Sequence, residues 1–205
     1  LYARVRLCAL GLPPEARAEA AGQTPPLVFY GSSITHGACA SRPGNSYPAI
    51  LGRMLDTDFV NLGFSGNAKG EPIMAAYIAG LPMRAFVLDY DHNAPSPEHL
   101  EKTHYPFYKT LRQAQPDLPI LMVSRPNVYW GDPADTARRR AVIEETYRRA
   151  LAQGDRHIAF LDGGRLFDGE MPDSCAVDGT HPNDLGFMRM AQQAAPALRE
   201  LLRGT

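Results

Sequence analysis

Cysteine, tryptophan and excess charge are all scarce in this sequence of 205 residues. The three cysteines are an odd number without metal-type spacing, so neither a disulfide framework nor a cysteine metal site is predicted. The 21 basic and 22 acidic side chains nearly cancel, which gives no reason to expect a nucleic-acid or anionic-membrane partner. No apolar run approaches the ~20 residues that a membrane span needs. What is left is an ordinary composition and a length sufficient for one domain with a substantial core.

The first 26 residues differ in character from the rest of the chain. Residues 1–10, "LYARVRLCAL", alternate like a strand, and the following "GLPPEARAEAAGQTPP" is rich in proline, glycine and alanine. We interpret residues 1–26 as an N-terminal extension or the tail of an upstream domain, and residues 27–205 as the main domain. Because the chain starts with Leu1 rather than methionine, we expect a trimmed N-terminus or a longer parent protein, and no compartment is assigned.

From residue 27 onward, short apolar runs alternate with longer helical patterns. The runs cover residues 27–30, 58–62, 85–90, 119–124 and 157–162. Their continuous hydrophobicity is typical of strands buried on both faces. The helical patterns cover residues 47–56, 71–80, 98–115, 132–154 and 181–202. Five such repeats predict an α/β fold of three layers, α/β/α, around a five-stranded parallel doubly wound sheet of flavodoxin-like type.

In a sheet of this kind, chemistry is expected just beyond the carboxyl ends of the strands. The first predicted strand is followed by "GSSIT", which places Ser32 and Ser33 on a sharp strand-to-helix turn. A serine there can project its hydroxyl above the sheet edge as a nucleophile, or it can cap the following helix. Taken alone, the turn favours the capping interpretation, since a serine at a helix start is usually a cap.

The next two predicted strands end in glycine-rich or polar segments. Residues 61–67, "NLGFSGN", follow the second strand, and their glycines either form a plain turn or point backbone amides at a ligand. Residues 89–95, "DYDHNAP", follow the third strand, where a side-chain amide can donate to a developing negative charge. The alternatives for that segment are an Asx-turn before the proline and a metal site made of Asp89, Asp91 and His92.

The segment "AVDGTHPNDLGF" follows the last predicted strand and contains a carboxylate and an imidazole three residues apart. Asp178 and His181 directly precede a predicted helix with Pro182 at its start. This spacing lets Asp178 hold Nδ1 of His181 and leave Nε2 free as a base. The alternative is a capping aspartate beside an incidental surface histidine. Together with the earlier segments, the order Ser, Gly, Asn, Asp, His indicates a nucleophile, oxyanion donors, an acid and a base on one edge of one sheet.

These segments make the sequence similar to the SGNH (GDSL-like) hydrolases. "GSSIT" resembles the first block of that family and implies Ser33 as the nucleophile. "NLGFSGN" resembles the second block, whose oxyanion glycine falls on Gly66, and "DHNA" resembles the third, which gives Asn93 as a side-chain donor. "DGTHPN" matches the last block and implies Asp178 as the acid and His181 as the base. The oxyanion hole implied in this way consists of Ser33, Gly66 and Asn93.

The resemblance covers roughly residues 27–203 and departs from the family pattern at three positions. Ser32 replaces an aspartate of the first block, and Asp91 and Ala94 replace a glycine and an aspartate of the third. None of these changes removes an implied catalytic role. The segments look particularly like a bacterial subgroup in which a small β-sandwich domain precedes the hydrolase.

The resemblance implies a serine esterase that needs no metal and no organic cofactor. We expect it to hydrolyse short-chain acyl esters, acetyl first, on a small molecule or an oligosaccharide, because the sequence shows no lid. Asp91 and His92 would line the substrate pocket, and Tyr129 and Trp130 would either stack on a sugar ring or pack the loop. The alternatives are a lysophospholipase or thioesterase of the same fold, or a non-catalytic carbohydrate-binding module. A homo-oligomer is compatible with the sequence.

Overall fold

The structure, a computed structural model, describes residues 6–19, 24–126 and 131–204 of the chain. Its centre is a five-stranded parallel sheet with the strand order β2-β1-β3-β4-β5. The strands are β1 (Leu27–Gly31), β2 (Phe59–Gly63), β3 (Ala85–Asp89), β4 (Ile120–Val123) and β5 (Ile158–Leu161). This order confirms the predicted flavodoxin-like sheet, and it reverses direction between β1 and β3, where ligands of such sheets bind.

The described part of the chain contains six α-helices. They are α1 (Ser33–His36), α2 (Tyr47–Met54), α3 (Pro72–Ala79), α4 (Pro97–Ala114), α5 (Pro133–Ala152) and α6 (Asp184–Arg203). The last helix starts later than predicted, because Asn183 is its N-cap and accepts the Gly186 N–H at 3.1 Å. Pro182 therefore precedes the helix instead of starting it. Within the described ranges, no helix is long and apolar enough to cross a membrane.

Side chains of β1 alternate between two hydrophobic clusters, one on each face of the sheet. Leu27 and Phe29 pack with buried side chains of α2 and α6. Val28 and Tyr30 pack with buried side chains of α3, α4 and α5. All four are 0% exposed, so the sheet forms the middle layer between two layers of helices. The three-layer α/β/α architecture predicted from the sequence is confirmed.

The edge strand β2 differs from the prediction that all five strands are buried on both faces. Phe59 and Val60 are each 36% exposed, because β2 pairs only with β1. An edge strand of such a sheet can have the same apolar run as a central strand. The sequence pattern alone therefore does not show which strand lies at the edge.

The strand predicted near the N-terminus is not present in the part that the structure describes. Residues 6–10 form no strand and are exposed. Residues 1–5 lie outside the described residues. Without a neighbouring strand to accept its hydrogen bonds, an alternating pattern does not form a strand by itself. The assignment of residues 1–26 to an extension or an upstream domain stays a prediction.

Arg112 joins the end of α4 to the segments that enter β4 and β5. Its Nε donates to Asp155 Oδ2 at 2.8 Å, and the two side chains are only 11% and 5% exposed. Its terminal nitrogens donate to the carbonyl oxygens of Leu118 at 2.7 Å and His157 at 3.1 Å. With the carbonyl oxygens of Gln115 and Pro116, which it also contacts, one guanidinium therefore pairs with a buried carboxylate and donates to four backbone acceptors.

Replacement of Arg112 by alanine is expected to lower the free energy of unfolding by about 3–5 kcal/mol, because it leaves a buried charge unpaired. Arg148→Ala is the matched control, since Arg148 pairs with Glu144 while 62% exposed. Exposed pairs of this kind contribute at most about 1 kcal/mol. Urea unfolding of both variants measures the difference, and equal effects would contradict a special role for Arg112.

Candidate active site

The turn between β1 and α1 gives its two serines different partners. Ser32 is the N-cap of α1, and its Oγ accepts the backbone N–H of Ile34 at 3.1 Å. Ser33 is the first residue of α1, and its Oγ lies 2.9 Å from Nε2 of His181. The turn alone left both interpretations open, and the family resemblance implied Ser33 as the nucleophile. The structure has one serine of each kind, a cap at Ser32 and a hydroxyl facing an imidazole at Ser33.

Asp178 holds the other side of the His181 ring. Its Oδ2 lies 2.7 Å from His181 Nδ1, and its Oδ1 accepts the backbone N–H groups of His181 at 2.7 Å and Thr180 at 3.0 Å. The hydrogen bonds from the backbone and the ring of His181 lower the pKa of Asp178 well below its ordinary value. The carboxylate is therefore charged at neutral pH. A charged acceptor at Nδ1 favours the tautomer that leaves a lone pair on Nε2, towards Ser33.

Backbone pairing closes the short loop that carries these two side chains. Ala176 and Pro182 form an isolated antiparallel bridge, and the Val177 N–H donates to the His181 carbonyl oxygen at 2.9 Å. The side chains of Asp178 and His181 are 52% and 29% exposed. The Ser33 hydroxyl, the imidazole and the carboxylate thus form a hydrogen-bonded series that opens to solvent. Such a series can remove the hydroxyl proton as the oxygen attacks an electrophilic carbon.

Gly66 and Asn93 both follow strands that neighbour β1, so they belong to the same carboxyl edge as Ser33. Gly66 has a φ of +72°, a conformation that favours glycine, and no atom lies within 4 Å of the position a Cβ would take. Asn93 ends a short 3₁₀ helix that begins at Asp91, and its side-chain Oδ1 is buried without a hydrogen-bond partner. Their role as oxyanion donors stays a prediction.

Asp91, one of the predicted substrate contacts, is buried beside two arginines. It is 1% exposed, and its Oδ2 accepts the backbone N–H of Arg125 at 2.9 Å. Arg139 lies 3.4 Å from its Oδ1 and also donates to the carbonyl oxygens of Asp91 at 3.0 Å and Ala94 at 2.9 Å. The carboxylate therefore connects the segment after β3 to α5 and to the segment after β4, and its predicted contact with a substrate stays a prediction.

His92, the next residue, has a pKa that depends on its burial and on the nearby charged side chains. Burial, followed by the positive charge of Arg125, lowers the pKa of His92 to about 3, so its ring is neutral at neutral pH. Its Nε2 is buried without a partner. The predicted substrate contact of His92 stays a prediction. The other two predicted contacts, Tyr129 and Trp130, lie outside the described residues.

The alternative metal site at Asp89, Asp91 and His92 does not assemble. Asp89 Oδ2 accepts hydrogen bonds from the hydroxyls of Thr35 and Tyr47, whereas Asp91 faces the arginines. In the described ranges no group of three or more side chains could hold a metal ion. The sequence analysis missed the partners of both aspartates, because hydroxyls and arginines are far along the chain from the carboxylates and follow no motif.

The chain belongs to the GDSL-like lipase/acylhydrolase family, whose sequence profile matches residues 24–199. A protein from Bacteroides ovatus, described as a GDSL-like lipase, is 36% identical, with a TM-score of 0.79 over 87% of this chain and 54% of its own. The family resemblance drawn from the sequence motifs is confirmed. The comparisons do not show the β-sandwich domain expected before the hydrolase, which stays a prediction.

Two more distant structures share the fold. The salicylyl-acyltransferase SsfX3 from a tetracycline biosynthetic pathway is 23% identical, with a TM-score of 0.78 over 89% of this chain and 56% of its own. A two-domain esterase active on acetylated mannans is 17% identical, with a TM-score of 0.67 over 85% of this chain and 48% of its own. The chain therefore spans about half the length of these solved relatives. No curated protein matches the chain significantly.

The two serines of the β1–α1 turn are expected to differ in reactivity towards a phosphonate probe that modifies activated serines. Ser33 should be labelled, because only its hydroxyl faces an imidazole nitrogen. Labelling should disappear in Ser33→Ala and persist in Ser32→Ala, which loses only a helix cap worth about 1 kcal/mol. Mass spectrometry of the labelled peptide identifies the residue. A label on Ser32 would show that the nucleophile is one residue earlier.

Proposed function

We propose that this protein is a serine esterase in which Ser33, His181 and Asp178 act as nucleophile, base and acid. The observation that carries the proposal is the hydrogen-bonded series from Ser33 Oγ to His181 at 2.9 Å and from His181 to Asp178 at 2.7 Å. As Oγ bonds to the ester carbonyl carbon, its proton passes to Nε2. The charged Asp178 then stabilises the imidazolium and keeps the ring oriented.

The negative charge that develops on the carbonyl oxygen needs donors at the same edge of the sheet. We assign this task to the backbone N–H groups of Ser33 and Gly66 and to the side-chain amide of Asn93. Loss of one such donor typically costs about 3 kcal/mol of barrier. When the intermediate collapses, His181 returns the proton to the leaving alcohol. Water then attacks the acyl-enzyme with His181 again as the base, which regenerates Ser33.

The proposed substrate is a short-chain acyl ester, acetyl first, carried by a small molecule or an oligosaccharide. Two observations support this choice. The loop of Asp178 and His181 opens directly to solvent, so a bulky polar alcohol can approach it. One structure with the same fold comes from an esterase active on acetylated mannans.

Removal of the base is expected to cost as much activity as removal of the nucleophile. His181→Ala and Ser33→Ala should lower kcat/KM on p-nitrophenyl acetate by similar factors, and the double variant should be no worse, because the two residues act as one unit. Asp178→Ala should lose less, since the imidazole survives and still finds its position part of the time. Near-normal activity of His181→Ala would remove the basis of the proposed mechanism.

The acyl-chain preference tests the substrate class. On a series of p-nitrophenyl esters, kcat/KM should be higher for acetyl than for octanoyl, and an acetylated oligosaccharide panel should release acetate. Ser33→Ala is the control for hydrolysis that does not use this site. A clear preference for octanoyl would support the lysophospholipase or thioesterase alternative instead.

A further inference from the structure

A buried carboxylate that the proposed mechanism does not use lies directly beneath the nucleophile helix. Asp89 is the last residue of β3 and is 2% exposed. Its Oδ2 accepts a hydrogen bond from Thr35 Oγ1 at 2.8 Å and another from the Tyr47 hydroxyl at 2.7 Å. Thr35 belongs to α1, and Tyr47 is the first residue of α2. A single oxygen atom therefore connects the end of β3 to two helices.

Burial of this carboxylate is unfavourable because its charged form loses contact with water. Burial raises the pKa of Asp89 to about 7, even though both hydroxyl donors act in the opposite direction. Within the described residues, no lysine or arginine forms a salt bridge with it. The carboxylate accepts two directional hydrogen bonds here, which an apolar side chain of similar volume could not do.

The geometry of the turn shows what those hydrogen bonds control. Gly31, at the end of β1, pairs in register with Asp89. A Cβ on Gly31 would lie 2.1 Å from Thr35 Oγ1 and 2.3 Å from the Asp89 carbonyl oxygen. The first turn of α1 therefore packs closely against the ends of β1 and β3. The Thr35 hydroxyl occupies the space that a side chain on Gly31 would fill.

The helix that carries Ser33 is too short to keep a fixed orientation without contacts to the rest of the protein. α1 has four residues, and a single helical turn is not stable without tertiary contacts. Ser33 and Thr35 are two residues apart in this turn, so a rotation of one moves the other. The Thr35–Asp89 hydrogen bond is a directional contact between α1 and the neighbouring strand.

We propose that Asp89, acting through Thr35, is a positioning residue that sets the orientation of α1 and thereby places Ser33 Oγ against His181 Nε2. The inference rests on the proposed function, because it concerns the same nucleophile. Tyr47 donates to the same carboxylate oxygen as Thr35, and its ring packs edge-on against Phe29 of β1 with centroids 5.7 Å apart. A displacement of the nucleophile by about 1 Å is enough to lower a rate about 10²-fold.

The test compares variants that remove one hydrogen bond with little change of shape. Thr35→Val, Asp89→Asn and Tyr47→Phe each weaken or remove a bond to Asp89, and Thr35→Ser retains the hydroxyl. Tyr108→Phe is the matched control. The Tyr108 hydroxyl also donates to a carboxylate, Asp155, at 2.8 Å from a side chain that is 2% exposed, but at the amino edge of the sheet.

For Thr35→Val we expect kcat on p-nitrophenyl acetate to fall about tenfold or more with KM changed by less than about threefold, because positioning affects the chemical step. The rate of phosphonate labelling at Ser33 should fall by the same factor. Asp89→Asn and Tyr47→Phe should show the same split, and Thr35→Ser should recover most of kcat. Tyr108→Phe should lower the melting temperature and leave kcat unchanged.

Two results would overturn the inference. One is a Thr35→Val variant that loses thermal stability like Tyr108→Phe but keeps kcat and the labelling rate. The other, if Thr35→Val does not fold, is unchanged kcat in both Asp89→Asn and Tyr47→Phe. Ser33→Ala, measured in parallel, separates this failure from failure of the proposed function. An active Ser33→Ala removes both, whereas an inactive Ser33→Ala beside a fully active Thr35→Val removes only the positioning role.

Discussion

Burial of β1 on both faces is the constraint from which the site follows. Four consecutive side chains of this strand, residues 27–30, are 0% exposed and alternate between the two hydrophobic clusters. The strand cannot slide or twist without moving both clusters. Its last residue, Gly31, therefore delivers the two serines to a fixed point at the carboxyl edge, beside the ends of β2 and β3. A strand held on both faces and paired on both edges therefore leads directly into the proposed nucleophile.

The acid and base must return from the far side of the sheet to meet this point. β5 is the edge strand beside β4 and is separated from β1 by β3 and β4, yet His181 lies 2.9 Å from Ser33, 148 residues earlier. The packing of α6 beside α2 in one hydrophobic cluster directs the chain back. Asp184 then fixes the start of α6, because its carboxylate accepts the Ser41 N–H and the Asn45 side-chain amide, both at 2.9 Å.

The sequence predicted what depends on local pattern and missed what depends on distant partners. All five strands lie within a residue or two of the apolar runs, since burial on a sheet requires such runs. The turn after β1 showed two serines but not their partners, because a cap and a nucleophile use the same residue type. The partner of Asp91 was not predicted, because Arg139 is 48 residues away. No spacing rule connects a loop aspartate to an arginine on a later helix.

The three aspartates at this edge of the sheet show how burial divides their tasks. Burial raises the pKa of Asp89 and Asp91 above the ordinary value, whereas hydrogen bonds on an exposed loop lower that of Asp178. A carboxylate that must stay charged beside His181 is stabilised by solvent and backbone N–H groups. The other two accept hydrogen bonds in fixed directions, and burial keeps water from competing for them. The exposed loop therefore keeps Asp178 charged where a substrate can approach, and the two buried carboxylates hold the neighbouring segments in a fixed geometry.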